Sequence, residues 1–167
     1  MEMHAPSAAP DPLLRTLADF RYEVRRFLSF SESAALATGL QPQQHQLLLQ
    51  VAGAPDGTAV TIAYAAERLG LKHNSTVELV DRSAREGLLI RKTDSGDRRR
   101  AILHLTQKGR QVLSRLSGEH ARELNELRPR LEQALKDIRL QTVEAGSERT
   151  TADPSTPRLP RSAQDDI

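Results

Sequence analysis

The chain has 167 residues, enough for one domain with a sizeable core and extended ends. Its 24 Lys and Arg against 22 Asp and Glu leave a net charge of +2, so overall charge identifies no partner. The absence of cysteine excludes disulfides, cysteine-ligated zinc and thiol redox chemistry. With three Phe, two Tyr and no Trp, the aromatic platforms of single-strand or RNA binding are missing.

Residues 1–10, with Pro6 and Pro10 among Ala and Ser, read as a disordered N-terminal tail. This start has no basic segment followed by an apolar one, and no run nears the roughly 18 apolar residues of a membrane span. A cytoplasmic protein is expected. Asp11-Pro12 marks a helix start, and apolar residues recur at three- and four-residue steps from Leu13 to Ala35, predicting a helix over 12–37 closed by Gly39. Phe20, Tyr22, Phe27 and Phe30 all fall in it, as packing residues or as part of a ligand pocket. Gln41-Pro42 opens a second helix over 42–52, and Gly53 to Gly57 is a turn. Val60 is expected to pair briefly as a strand.

Thr61 caps a third helix over 62–69, ended by Gly70, and a fourth is expected from Asn74 to Glu86. Two short helices joined by a tight turn form a helix-turn-helix pattern. Leu88 to Thr93 and Ala101 to Thr106 follow as two strands of matching length around the turn Ser95-Gly96-Asp97. The tip carries Arg98, Arg99 and Arg100. From Leu88 to Arg110 seven basic residues oppose two acidic ones, the footprint of a phosphate-binding face. The expected fold is mainly α with a small β-hairpin wing.

Thr106 caps the next helix, where Leu113, Leu116, His120, Leu124, Leu127, Leu131, Leu135 and Ile138 form a narrow stripe suited to a partner helix. Pro129 is expected to divide it, giving one helix to about Leu127 and a last one from Pro129 to Leu140. Residues 141–167, rich in Ser, Thr, Asp and Arg, read as a disordered C-terminal tail.

The motifs Ala66-Glu67-Arg68-Leu69-Gly70, Leu79-Val80-Asp81-Arg82, Gly87-Leu88, Asp97-Arg98-Arg99 and Leu105-Thr106-Gln107-Lys108-Gly109 resemble, in their joint spacing, the MarR family of bacterial winged helix-turn-helix regulators. The resemblance implies a domain over 11–140, with dimerisation helices at about 12–38 and 107–140 flanking a DNA-binding lobe at about 58–106. It further implies a homodimeric repressor or activator of transcription on a pseudo-palindromic double-stranded operator, and no enzyme activity. Several positions depart from the family pattern: Glu78 where a basic or polar contact is usual, Ser83 for a core Leu, and Tyr64-Ala65 for an acidic-Leu pair.

On that reading the fourth helix lies in the major groove. Lys72 and His73 serve phosphates, Asn74 either caps the helix or reads adenine, and Ser75 and Thr76 contact phosphate, with the Thr76 methyl on a thymine. The resemblance places Arg99 in the minor groove, with Arg98 and Arg100 on phosphates and Asp97 steadying the turn. It also implies a site for a small, often aromatic acid between the dimer helices and the winged helix, for which Phe27, Phe30 and His45 are candidates. The five histidines (His4, His45, His73, His104, His120) show no i, i+4 pair, so neither a metal nor a cofactor is expected. The alternative is a winged-helix protein-interaction module without specific DNA binding, which Glu78 favours.

Overall fold

The computed structural model describes residues 11–93 and 100–150, with side chains as far as residue 142. The N-terminal tail, the wing tip with Asp97, Arg98 and Arg99, and residues 151–167 lie outside the described residues.

Helix α1 (Pro12–Ala37) starts where Asp11 Oδ1 accepts from the Leu13 amide at 2.8 Å with Pro12 in the first turn. It ends as Gly39 turns left-handed at φ 81° and the Leu40 amide donates back to the Ala35 carbonyl. Helix α2 (Pro42–Ala52) carries a capping box between Gln41 and Gln44. Helix α3 (Ile62–Leu69) is capped by the Thr61 hydroxyl, which accepts from the Tyr64 amide at 3.2 Å, and Gly70 closes it. Helix α4 (His73–Arg85) follows at once, then strands β1 (Leu89–Thr93) and β2 (Ala101–Leu105) and the long α5 (Gln107–Thr150).

The strands pair antiparallel from Leu89↔Leu105 to Thr93↔Ala101. Leu103 and Leu105 alternate inward and are buried. The expected pairing of Val60 amounts to one hydrogen bond, the Leu103 amide donating to the Val60 carbonyl at 2.8 Å. Leu47 and Leu48 of α2, Leu79 and Val80 of α4, Leu103 of β2 and Leu116 of α5 fill one core. Helices α1 and α5 pack along each other, while α2 contacts both of them and also α3, α4 and β2. Arg130 of α5 adds an ion pair to Glu23 of α1 at 3.2 Å. The arrangement is a helix-turn-helix with a two-stranded wing, flanked by the first and last helices.

Helix α5 departs most from the sequence expectation. It runs through Pro129 without division and continues to Thr150, taking in the first ten residues of the expected tail. Pro129 and Asn125 are both exposed, a placement in which solvent satisfies the carbonyl that an interior proline frees. Replacing Pro129 with Ala should restore the helical bond to that carbonyl and raise stability by about 1–3 kcal/mol. The measurement is a urea midpoint, and a lower midpoint would show that the proline geometry is required.

Candidate nucleic-acid interface

Three turn residues separate the helices of the helix-turn-helix, and Lys72 is the N-cap of α4 without a side-chain cap bond. The helix therefore begins one residue earlier than expected, at His73, and Asn74 sits in its first turn instead of capping it. Lys72, His73, Asn74 and Ser75 are all exposed, so the start of α4 presents a cationic and hydrogen-bonding edge together with its own unpaired amides. Glu78 and Arg82 are exposed one and two turns further along. Arg82 entered the sequence reading only as a motif letter, and its place on an i, i+4 line from Glu78 is the signal that would have added it.

Thr76 does not join this edge. It is fully buried, and its hydroxyl donates to the Lys72 carbonyl at 3.1 Å. The expected contact of its methyl with a thymine is corrected by that burial: Thr76, Leu79, Val80 and Ser83 form the inward stripe of α4. Their spacing of three, one and three residues is an amphipathic pattern already present in the sequence. Ser83, in place of a larger core residue, is satisfied by donating to the Leu79 carbonyl at 2.8 Å.

The wing is fixed to α4 by its base. Arg91 on β1 pairs with Asp81 on α4 at 2.6 Å, with both side chains partly in solvent. Such a pair contributes little stability, about 0–1 kcal/mol, but it sets a direction between strand and helix. Arg100, beside the start of β2, is exposed.

The corner from Glu86 to Leu88 joins α4 to β1 and is held from α5. The Thr106 hydroxyl donates to the Gly87 carbonyl at 2.6 Å and accepts from the Gly109 amide at 3.0 Å. Lys108 Nζ donates to the Glu86 carbonyl at 2.8 Å. A Cβ on Gly109 would run into the Leu88 carbonyl oxygen, so only glycine lets α5 approach this closely.

Phe27, Phe30 and His45 do come together, but around a ring the sequence reading treated as one position of a helix stripe. His120 of α5 lies 5.9 Å from Phe27, 5.5 Å from Phe30 and 4.8 Å from His45, centroid to centroid. Its Nδ1–H donates to the Leu116 carbonyl at 2.7 Å, and in the neutral ring Nε2 accepts from the buried Ser31 hydroxyl at 2.8 Å. The center of the candidate effector site is thus filled by His120. His45 is buried, and its Nδ1 has no hydrogen-bond partner.

Burial, and secondarily the neighbouring His120, hold the pKa of His45 below its ordinary value. The folded state therefore keeps His45 neutral where the unfolded chain would protonate it. Stability from this site is whole above about pH 6.5 and declines as the pH falls from there through the lowered folded value. Urea melts at pH 7.5 and 5.5 should show the loss, and His45→Gln should shrink the difference between them. An unchanged difference in the variant would remove His45 as its source.

Comparison with known proteins bears on the same elements. The sequence profile of the MarR family matches residues 38–100, from the end of α1 to the wing. A Thauera aromatica protein named for transcriptional regulation of the hcr operon is 28% identical over 114 residues, 68% of this chain and 67% of that protein. The fold is shared with AbsC, a MarR family transcriptional regulator from Streptomyces coelicolor, at TM-score 0.63 and 15% identity over 87% of this chain and 99% of that one. It is also shared with the transcriptional repressor CouR bound to a 23-mer DNA duplex, at TM-score 0.52 and 27% identity over 80% of this chain and 85% of that one.

Proposed function

We propose that the chain is a MarR-type transcriptional regulator, a homodimeric repressor that binds a pseudo-palindromic duplex in the cytoplasm and releases it when a small effector binds. The observation that carries the reading is the exposed start of α4, where Lys72, His73, Asn74 and Ser75 are all open to solvent, in a sequence that follows this helix with the run Arg98-Arg99-Arg100. That edge enters the major groove, Asn74 reading adenine and Lys72, His73 and Ser75 holding phosphates. Arg99 enters the minor groove, and Arg98 and Arg100 hold phosphates on either side of it. Asp97 steadies the wing turn. The homodimer is supported by apolar lines left open on the two flanking helices. Leu17 and Leu28 stand eleven residues, three helical turns, apart on α1, and Leu124 and Leu135 do the same on α5, all four exposed. The effector reading rests on Phe27, Phe30 and His45, whose rings gather around His120 at the joint between the lobes, with His45 Nδ1 buried and without a hydrogen-bond partner. A small aromatic acid there would have to displace His120.

Glu78 favours a second reading, a winged-helix module that binds protein. Its carboxylate is exposed on the same face as Asn74, where it repels phosphates and matches only the amino donors among the base edges, chiefly that of cytosine. The two readings separate on duplex DNA. Selection of bound genomic fragments should return a pseudo-palindrome with half-sites about one helical turn apart. Affinity should fall about a thousandfold or more between about 50 and 200 mM salt for a dimer that contacts roughly six to ten phosphates. A flat salt titration, or no affinity for mixed-sequence duplex at low salt, would leave only the protein-binding reading.

The wing is tested separately. Arg99→Ala should weaken operator binding by about 1–3 kcal/mol while the melting temperature stays close to that of the parent. Unchanged binding in a gel-shift titration would remove Arg99 from the interface.

A further inference from the structure

Helix α2 contacts α1 and α5 as well as α3, α4 and β2, so any change in the relative placement of the two lobes passes through it. Two adjacent buried residues near its start face the two lobes. His45 packs on His120 of α5, whereas Gln44, 1% exposed, turns to the end of α4. The Gln44 carbonyl oxygen Oε1 accepts from the Gln41 amide at 3.0 Å, and its Nε2 donates to the Glu86 carboxylate at 2.8 Å.

Neither partner is explained by its own helix. A capping box is served as well by Glu as by Gln at this position, but a Glu would oppose the Glu86 carboxylate. Only an amide accepts at one end and donates at the other. Glu86 in turn is the C-cap of α4, where a negative charge is disfavoured by the helix dipole. Its carboxylate receives a charge-assisted hydrogen bond from a residue 42 positions earlier, and Lys108 engages its carbonyl from the other side.

We propose that Gln44 is a positioning residue for DNA recognition: its amide, held between the start of α2 and Glu86, fixes the tilt of α4 against the lobe formed by α1 and α5. The inference rests on the duplex-binding reading above. Two α4 helices related by a two-fold axis must reach half-sites about 34 Å apart, so their tilt is as important as their surface. Helix α4 has 13 residues and is held at its C-terminal end, while the edge carrying Asn74 is at the other. Over its length of about 20 Å, a tilt of about 10° displaces that edge by about 3 Å, more than a base-edge hydrogen bond tolerates.

The test is an exchange of the pair. Gln44→Glu keeps the capping box and opposes two carboxylates, and combining it with Glu86→Gln restores a donor facing an acceptor. Binding is measured to a duplex selected by the wild-type protein from a randomised pool and to a mixed-sequence duplex, with melting temperatures alongside. Gln44→Glu should weaken binding to the selected duplex about tenfold or more, the scale of a lost charge-assisted bond. Binding to the mixed-sequence duplex, carried by phosphate contacts, should stay within about threefold. The double variant should regain the selected duplex, a coupling a double-mutant cycle reads directly. Glu86→Ala, at an exposed position, carries the same comparison should Gln44→Glu fail to fold. Equal losses on both duplexes, or a wild-type preference that survives in Gln44→Glu and Glu86→Ala, overturns the inference alone. A wild-type protein that binds neither duplex overturns the regulator reading and the inference with it.

Discussion

The backbone from Glu86 to Leu88 has to end the recognition helix, begin the wing and seat the start of α5 within three residues. Each requirement constrains the others. Gly87, at φ 70°, turns the chain out of α4, and the Leu88 amide closes the helix by donating to the Ser83 carbonyl at 2.9 Å. The Leu88 carbonyl then accepts from the Thr106 amide at 3.1 Å, directly under Gly109. A side chain at Gly109 would push α5 off this corner, and the wing strands and the C-terminal end of α4 would shift with it. The segment Leu105-Thr106-Gln107-Lys108-Gly109 is therefore a clamp: Leu105 fills core, Thr106 and Lys108 bond the corner carbonyls, and Gly109 allows contact.

What was legible in the sequence was mostly local. Asp11-Pro12, Gln41-Pro42, Thr61 and Gly70 each mark a helix end through bonds made within four residues, and all four sit where expected. The strand alternation of Leu103 and Leu105 is equally local. At α4 and α5 the surrounding period outweighs the single residue. Thr76 carries a hydroxyl suited to phosphate, yet its spacing to Leu79, Val80 and Ser83 places it inward. Pro129 has the chemistry of a helix break, yet it lies at an exposed position, where solvent satisfies the carbonyl an interior proline frees. The site's cross-links could not be read, because Gln44 with Glu86, and Ser31 with His120, lie 42 and 89 residues apart. Neither partner has a periodic signature that points to the other.

The joint between the lobes is unusually polar for a place so buried. Ser31, Gln44 and His45 are each nearly inaccessible, and His120 is packed among aromatic rings. Apolar residues of similar size would hold the two lobes together more firmly, since an unpartnered buried polar atom such as His45 Nδ1 costs about 1–3 kcal/mol. Polar packing instead makes the joint selective about geometry. The Ser31–His120 bond fixes α1 against α5, and the Gln44–Glu86 bond fixes α2 against α4, each within a few tenths of an ångström.

Charge on the exposed face of α4 is placed with the same selectivity. Of the two acids on α4 beyond its first turn and before its C-cap, Asp81 is directed to Arg91 and so neutralised where strand meets helix. Glu78 stands on the exposed face with no ion pair among the described residues. A carboxylate left in that position lowers non-specific attraction to phosphates, because it opposes the lysine and the arginines around it. On the proposed duplex-binding reading, base-edge complementarity then supplies more of the discrimination, and the orientation of α4, with the bonds at its C-terminal corner, weighs more heavily on binding than it would on a uniformly basic helix.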